Sequence, residues 1–259
     1  MEPPGAAACN TGMTARLGSL ILGAGLGAAL VSAPAAHAAG APLPSSFSGR
    51  AGAVAPGGTE RLATHRAGRD TVLVATRRGS RLVLRSRRIP GRWSVPPATL
   101  DGRTTGLSAD GRTLALARPT KAFPPTRTHL AVLDASQLAV RRRITLPGFF
   151  TVDAISPDGG TLYLVQYGHD ILDYRVRALD TRTGRLAARD VVDPRQPGEQ
   201  MGGVPMTRAV SRDGRWAYTL YGGGSETFIH ALDTVGRTAA CIDLDMLQPQ
   251  SDLGAVRRG

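Results

Sequence analysis

The sequence predicts an all-β protein built from repeated units, and three observations carry that prediction. A hairpin motif, in which an aliphatic residue is followed by Ser-x-Asp-Gly, occurs three times. A second motif, which contains Leu-Asp and continues through a turn, follows each copy of the first. The aspartates are Asp110, Asp158 and Asp213 in the first motif and Asp134, Asp180 and Asp233 in the second. No helical period of apolar residues accompanies either motif, so we expect strands rather than helices.

The best preserved unit contains the stretch ISPDGGTLYLVQY, residues 155–167. Its Asp158-Gly159 pair favours a tight turn, because glycine adopts positive φ without steric strain. Alternating β-branched, aliphatic and aromatic residues follow the turn and suit a pleated surface that is buried on both faces. The predicted strands of this unit lie near residues 149–155, 161–166, 172–179 and 185–191.

The spacing of the motifs sets the size of the repeat. The Asp-Gly pairs are 48 and 55 residues apart, and the aspartates of the second motif are 46 and 53 residues apart. A period of roughly 40–55 residues is typical of propeller blades and related arrays. Four short strands per unit, joined by turn residues, form the blade of a β-propeller. The predicted fold class is therefore an all-β β-propeller of four-stranded blades.

The two motifs also resemble a known family. SPDGGTLYL and ALDTRTGRL are similar to the paired signatures of YVTN-type and WD40-like (TolB-like) propeller repeats. The resemblance covers residues 70–244, in three clear units and one weaker unit. That weaker unit, residues 72–88, has a turn glycine at Gly79 but no Ser-x-Asp-Gly. The resemblance implies the fold, and it implies neither a ligand nor a reaction.

The N-terminal region has the pattern of a secretory signal. Arg16 precedes an apolar run from Leu17 to Val31, and the chain then reaches Ala-His-Ala at Ala38. This anatomy predicts cleavage after Ala38 and a secreted, extracytoplasmic protein, with Met13 as an alternative start. The run is shorter than the roughly 20 apolar residues of a membrane span, so we expect no transmembrane segment after cleavage. A retained N-terminal anchor is the alternative.

Composition divides the rest of the chain. Residues 39–60 are rich in Ala, Gly, Pro and Ser and are predicted to form a disordered linker. Residues 61–244 hold about four propeller units, and residues 245–259 form an irregular tail. Propellers typically have four to eight blades, so the chain forms either a compact four-unit ring or an incomplete, truncated ring. The second alternative is favoured, because the last unit ends without a strand that would close on the first.

Charge is concentrated in the first half of the repeats. Residues 61–145 hold 17 Arg and one Lys against four Asp, whereas residues 146–259 hold 12 Arg against 14 acidic residues. Strand alternation in RLVLRSR places Arg81, Arg85 and Arg87 on one face. This stripe is either a binding site for an acidic protein or an anionic cell-envelope polymer, or the charged protection of an edge strand. Nucleic acid is disfavoured as a partner, because no aromatic residues are interleaved with the arginines.

The sequence contains none of the catalytic or metal-binding motifs that we searched for. There is no HExxH, CxxC, CxxCH or GxSxG pattern, and the histidines do not stand at metal-ligand spacing. We therefore expect no cofactor, no metal and no catalytic residue, and favour a non-catalytic binding protein. Two alternatives stay open: a propeller hydrolase or oxidoreductase whose site is incomplete in this chain, and a truncated product without independent function.

Three further residue types have structural interpretations. The repeated aspartates either form turns by accepting backbone N–H groups or line one mouth of the ring as a carboxylate cluster. Trp216 is expected to pack between blades. Cys241 is either a buried free thiol or a cysteine with a partner.

Overall fold

The structure is a computed structural model that describes residues 52–168, 174–198, 202–222 and 227–244. The predicted signal at residues 1–38, the alternative start at Met13 and the predicted tail at 245–259 lie outside the described residues. Within the described ranges, no helix is long and apolar enough to cross a membrane.

All regular elements of the described chain are β-strands, as the sequence predicts. They are β1 (Glu60–Ala67), β2 (Asp70–Arg77), β3 (Val83–Ile89), β4 (Thr113–Ala117), β5 (Arg127–Asp134), β6 (Ala139–Pro147), β7 (Phe149–Ile155), β8 (Thr161–Tyr167), β9 (Tyr174–Asp180), β10 (Leu186–Val191), β11 (Val204–Val210), β12 (Trp216–Gly222), β13 (Phe228–Asp233) and β14 (Thr238–Asp243). Strands β7 to β10 match the four strands predicted for the best preserved unit to within two residues at each end.

The strands form four antiparallel sheets that follow one another along the chain. Sheet 1 is β1-β2-β3, sheet 2 is β4-β5-β6, sheet 3 is β7-β8-β9-β10 and sheet 4 is β11-β12-β13-β14. Sheets 1 and 2 each gain a fourth, innermost segment through isolated bridges, from Ala53 to Leu62 and from Leu107 to Leu114. Each sheet is thus a meander of neighbouring strands, which is the topology of a propeller blade.

The apolar core lies between successive sheets. Each interface interleaves side chains from two sheets, as strands buried on both faces require. Representative buried pairs are Leu73 and Leu133 between sheets 1 and 2, Leu130 and Leu164 between sheets 2 and 3, and Tyr163 and Leu232 between sheets 3 and 4. No apolar cluster of the described residues joins sheet 4 to sheet 1. The four sheets therefore form an incomplete ring, which confirms the predicted fold class.

The hairpin turns between the first two strands of a sheet are built by their aspartates. Asp158 accepts hydrogen bonds from the Ser156 hydroxyl at 2.6 Å and from the Gly160 N–H at 2.9 Å. Gly159 has a φ of +72°, the left-handed conformation that favours glycine. Asp110 and Asp213 bind the serines of their own turns in the same way, at 2.5 and 2.6 Å. These carboxylates are turn formers, as the turn interpretation predicts.

The folded region reaches further toward the N-terminus than the predicted linker boundary. Ala53 exchanges two backbone hydrogen bonds with Leu62, of 2.7 and 2.9 Å, and is buried in the interface between sheets 1 and 2. The Gly52 carbonyl accepts a hydrogen bond of 2.6 Å from the Thr104 hydroxyl. Ala53 therefore pairs with sheet 1, where its small side chain allows close packing, whereas the sequence predicted linker up to residue 60.

Cys241 lies on β14 and packs in an aromatic cluster between sheets 3 and 4. Its burial agrees with the sequence interpretation, but Cys241 is not a free thiol. The apolar neighbours that favoured a free thiol explain only its burial.

Candidate functional site

The three arginines predicted to form a stripe lie at the outer edge of sheet 1. Arg85 and Arg87 are on β3, the edge strand, whereas Arg81 lies in the exposed connection that precedes it. A bulge pairs Ala75 with Arg85 but Thr76 with Val83, so strict alternation does not extend back to Arg81. The structure therefore brings Arg85 and Arg87 onto one face and leaves Arg81 outside their alternation, in the exposed connection that precedes β3.

The face that carries Arg85 and Arg87 is turned toward sheet 2. Arg87 pairs with Leu73 and Arg85 pairs with Ala75, and both of these partners are buried against sheet 2. The Arg87 guanidinium donates to the Gln137 carbonyl at 3.4 Å, across the gap between the two sheets. The arginines thus line a groove between two blades and do not face open solvent on the far side of sheet 1.

Arg85 is neutralised by an ion pair. Its guanidinium donates two hydrogen bonds to the Glu60 carboxylate, of 3.0 and 2.6 Å, and a third to the Ala135 carbonyl at 3.3 Å. The side chains of Arg85 and Glu60 are 33% and 38% exposed. The hydrogen bonds from Arg85 hold the pKa of Glu60 below its ordinary value, so the carboxylate stays charged. Arg85 therefore anchors the edge and contributes little net charge to it.

Arg143 is a member of this groove that the sequence interpretation missed. It lies on β6, the edge strand of sheet 2, and pairs with Ala131, which is buried against sheet 1. Its side chain therefore faces the same groove as Arg87. The neighbouring Arg142 points the other way, toward Gly184 of sheet 3. The signal was present in the sequence, since strand alternation splits the Arg-Arg-Arg run between two faces.

We call Arg81, Arg85, Arg87 and Arg143 the basic edge. Arg81, Arg87 and Arg143 are exposed, and none of the three has a carboxylate within 4.0 Å among the described residues. The nearby Arg88 and Arg141 are paired with Asp70 and Asp134 instead. Uncompensated guanidinium groups along a groove attract anions and can bind phosphate or carboxylate groups in bidentate fashion.

A second cluster of charged groups is buried between sheets 3 and 4. The Arg208 guanidinium binds the Asp153 carboxylate at 2.6 Å and the Thr219 hydroxyl at 2.8 Å, and it also donates to the Asp153 carbonyl. The Arg208 and Asp153 side chains are only 3% and 4% exposed. A bulge in β7, between Val152 and Ala154, removes Asp153 from the regular pairing with β8. The bulge thus lies at the residue through which β7 of sheet 3 is bound to β11 of sheet 4.

His230 completes the buried cluster. Both of its ring nitrogens are buried without a hydrogen-bond partner in the described chain, and its ring lies edge-on to Tyr221 at 6.3 Å. Burial lowers the pKa of His230 below its ordinary value, so the ring is neutral at pH 7. Burial also raises the pKa of the Tyr221 hydroxyl well above 10. The Arg208–Asp153 pair and the stacking of Tyr221 on Tyr174 at 5.6 Å link sheets 3 and 4, and the Asp153 charge is already matched by Arg208.

The innermost segments of all four sheets converge on a cavity of about 610 Å³. Arg61, Arg103 and Arg208 contribute to its wall, together with Asp101. Burial raises the pKa of Asp101, but hydrogen bonds from Thr99 and Thr207 outweigh it and lower the pKa to about 2. The Thr207 bond, of 2.7 Å, ties the connection between sheets 1 and 2 to β11 of sheet 4. In the described part of the chain, no group of three or more His, Cys, Asp or Glu side chains could hold a metal ion.

Comparison with known proteins finds solved β-propeller structures of low identity. No family model matches the chain, and no curated protein matches it. TolB from Acinetobacter baumannii is 16% identical, with a TM-score of 0.44, and the match covers 76% of this chain and 44% of TolB. The β-propeller domain of Cps50 (Swd1) from Myceliophteria thermophila is 13% identical, with a TM-score of 0.41, and the match covers 73% of this chain and 52% of that domain.

The propeller of Dos1 is 14% identical, with a TM-score of 0.38, and the match covers 71% of this chain and 44% of the Dos1 chain. The chain thus spans about half the length of these three structures or less. At these identities and TM-scores the likeness identifies no activity for this chain.

Proposed function

We propose that this chain is an extracytoplasmic, non-catalytic propeller protein that binds an acidic partner, either a protein or an anionic cell-envelope polymer, through its basic edge. The observation that carries the proposal is the groove between sheets 1 and 2, where Arg87 and Arg143 are exposed, with the exposed Arg81 in the connection that precedes β3. Among the described residues, none of the three has a carboxylate within 4.0 Å. The groove lies in the half of the repeats, residues 61–145, that carries a net charge of +14.

Arginine suits such a site for a chemical reason. Its guanidinium is planar, stays charged at every physiological pH and matches the geometry of carboxylate and phosphate groups. A groove between two blades can accept an extended chain, and several arginines along it can bind successive anionic groups. Arg85 would position the edge, since its ion pair with Glu60 and its bond to Ala135 connect three segments.

Two further observations support an extracytoplasmic binding role. The pattern of residues 13–38 is that of a secretory signal. The buried Asp153 carboxylate is bound by Arg208, and the turn aspartates are bonded within their own turns, which is an arrangement for stability and not for proton transfer.

The test compares two triple variants of equal charge. In the first, Arg81, Arg87 and Arg143 are replaced by Gln; Arg85 is kept, because its loss would also break an ion pair. In the matched control, the exposed Arg182, Arg189 and Arg212 of sheets 3 and 4 are replaced by Gln. Binding to immobilised polyphosphate and to immobilised poly-glutamate is measured at increasing salt.

We expect the basic-edge variant to lose binding to at least one polyanion, while the control retains it. Binding of the unmodified chain should weaken with salt, because the screening length falls from about 10 Å at 0.1 M to about 3 Å at 1 M. Preference for polyphosphate would indicate an envelope polymer, and preference for poly-glutamate an acidic protein. Equal loss in both triple variants would reject the basic edge as the site and leave only a general effect of net charge.

A further inference from the structure

The outward face of sheet 4 is apolar, although the described residues form no further sheet that packs on it. Along β12, Ala217, Thr219 and Tyr221 are buried against sheet 3, so the alternate side chains point away from sheet 3. Register continues this outward face onto β13 and β14. We call it the open face of sheet 4, and its large side chains are Trp216, Tyr218, Leu220, Ile229 and Ile242.

The repeat identifies what this face would be in a complete ring. Tyr218 is the fourth residue after the turn glycine of sheet 4, and Tyr163 is the fourth residue after the turn glycine of sheet 3. At the outer edge, Ile242 pairs with Ile229 as Val191 pairs with Val176. The open face of sheet 4 is thus equivalent to the face of sheet 3 that sheet 4 covers.

The two equivalent faces differ sharply in exposure. Tyr163 is fully buried at 0%, and its hydroxyl donates to the Thr234 carbonyl of sheet 4 at 2.8 Å, whereas Tyr218 is 39% exposed. Val191 is 4% exposed and Ile242 is 48% exposed. Terminal repeats of stacked arrays normally carry a polar outer face. Sheet 4 instead ends in the residue types of a covered interface, and Trp216, which the sequence predicted to pack between blades, lies half-buried on it.

Sheet 1 presents a face with an apolar centre at the other end of the row, and His65, Ser86 and Arg88, the strand partners of Val72 and Val74, lie around that centre. Along β2, Leu73 and Ala75 are buried against sheet 2, so Val72 and Val74 point away from it. Ala63 pairs with Val74 and lies on the same side. We call this the open face of sheet 1. In each of the three formed interfaces, the face that a sheet turns toward the C-terminal end of the row packs on the face that the following sheet turns toward the N-terminal end. The open face of sheet 4 is of the first kind and the open face of sheet 1 is of the second kind, and neither has a partner sheet among the described residues.

We propose that two copies of this chain close on each other. The open face of sheet 4 of each copy packs on the open face of sheet 1 of the other, which forms one ring of eight sheets. A two-fold axis creates both contacts at once, and two-fold dimers are the commonest closed oligomers. A ring of eight blades lies within the usual range of four to eight. The groove of the basic edge, between sheets 1 and 2, remains open in this arrangement.

The experiment measures the mass of the full chain in solution by size-exclusion chromatography with light scattering. The full chain has a mass of 27.1 kDa, and we expect twice the mass of the single chain that is measured, with or without the predicted signal. Combined Tyr218→Glu and Ile242→Glu substitutions alter the open face of sheet 4, and Val74→Glu alters the open face of sheet 1. Each variant alone should have the mass of a single chain. Val235→Glu, at an exposed turn residue outside both faces, should leave the dimer unchanged.

Mixing the two variants tests which faces meet. In a mixed pair, the unaltered sheet 4 of one copy meets the unaltered sheet 1 of the other, so one of the two contacts is intact. We expect the mixture to recover part of the dimer that neither variant forms alone. If sheet 4 instead packed on sheet 4, Val74→Glu alone would remain a dimer, and no mixed pair would have an intact contact.

Three results would overturn the proposal: a single-chain mass for the unmodified protein across a wide concentration range, a dimer that survives the variants, or a mixture without recovery. The first result would assign the open face of sheet 4 to another protein or to sheets of a longer chain. Circular dichroism checks that each variant is folded. Should Tyr218→Glu with Ile242→Glu fail to fold, the milder Tyr218→Ser should raise the dissociation constant at least tenfold, and an unchanged constant would count against the proposal.

Discussion

Each end of the row of sheets has an arginine–carboxylate ion pair, and the two pairs differ in their exposure to solvent. Arg85 binds Glu60 in sheet 1 and Arg208 binds Asp153 between sheets 3 and 4, both with a nitrogen–oxygen distance of 2.6 Å. About a third of each side chain of the first pair is exposed, whereas the second pair is almost wholly buried. Exposed pairs contribute about 0–1 kcal/mol to stability, but breaking a buried pair leaves an uncompensated charge. Location, not bond geometry, therefore sets the consequence of losing an arginine.

The difference extends to the chemistry around each pair. Arg85 stands among other arginines on an edge strand, where charge remains available to solvent. Arg208 is surrounded by Thr219, Tyr221 and a neutral His230, and its charge serves only Asp153. In the first half of the repeats, Arg87 and Arg143 are exposed at a groove between two sheets. In the second half, Arg208 is buried and links two sheets through Asp153.

The largest effect is expected at the buried pair. Arg208→Ala would leave the Asp153 carboxylate buried without its partner and should lower the free energy of unfolding by about 3–5 kcal/mol. Arg85→Ala, the matched exposed change, should lower it by about 1 kcal/mol or less. Chemical denaturation of the three proteins measures both values.

A double variant sharpens this result. Replacing Arg208 and Asp153 together by Leu removes both charges, and buried pairs replaced by apolar residues are often tolerated. We expect the double variant to be more stable than Arg208→Ala. Equal losses for Arg208→Ala and Arg85→Ala would contradict the assignment of different roles to the two pairs.

The next effect concerns two turn glycines with nearly the same backbone. Gly159 and Gly111 have φ values of +72° and +70°. A Cβ at Gly159 would lie 2.3 Å from Thr113 of sheet 2, whereas a Cβ at Gly111 would meet nothing within 4 Å. Both Ala variants carry the left-handed strain of about 1–2 kcal/mol, and overpacking adds about 1–3 kcal/mol at Gly159 only.

Thermal melting and chemical denaturation of Gly159→Ala and Gly111→Ala check this difference. Since the strain is common to both variants, the gap between them reports how rigidly the turn of sheet 3 is seated against sheet 2. If the two variants were equally stable, the turn and Thr113 would move apart to accept the added Cβ at no cost in free energy.

The smallest effect is a dependence on acid. Hydrogen bonds from Arg215, and then from the N–H groups of Gly236 and Val235, lower the pKa of Asp233 from 3.8 to about 2. Because the pKa is lower in the folded state, Asp233 stabilises the fold above about pH 4, and this contribution is lost as the pH falls toward 2. The stability difference between the unmodified protein and Asp233→Asn should therefore shrink between pH 5 and pH 2.

Glu60 provides the comparison from the other end of the molecule. Its pKa is also lowered, by Arg85, but its side chain is more exposed and more strongly screened. Glu60→Gln should change the acid dependence less than Asp233→Asn does. If Glu60→Gln changed the acid dependence of stability more than Asp233→Asn, the expected order of the two carboxylates would be wrong.

Much of the fold could be predicted from the sequence, because hairpins are local. The Asp158-Gly159 turn and the alternation that follows it specify strands β7 and β8 within a dozen residues. The open ring was predicted from the missing partner strand of the last unit. The early start of sheet 1 was missed, since Ala53 and Gly52 carry no strand signal and are positioned by Leu62 and Thr104.

The candidate site was predictable only in part. Strand alternation correctly places Arg85 and Arg87 on one face, and the same rule applied to β6 would have added Arg143. Alternation could not locate the bulge that separates Arg81 from them, because a bulge depends on how β2 and β3 are paired. It also could not reveal that Glu60 reaches Arg85.

The sequence alone determined the class of strands, the turns, the period and the concentration of arginine in the first half, since each depends on neighbouring residues or on composition. Only the tertiary structure decided which arginine is paired, which is buried and which face of a sheet is covered. Arg208 and Asp153 are 55 residues apart and meet through a bulge in β7. Tyr163 and Tyr218 occupy equivalent positions and differ in exposure because, among the described residues, a sheet packs on that face of sheet 3 and none packs on that face of sheet 4. Pairing and burial are set by contacts between distant segments, and no local pattern encodes those contacts.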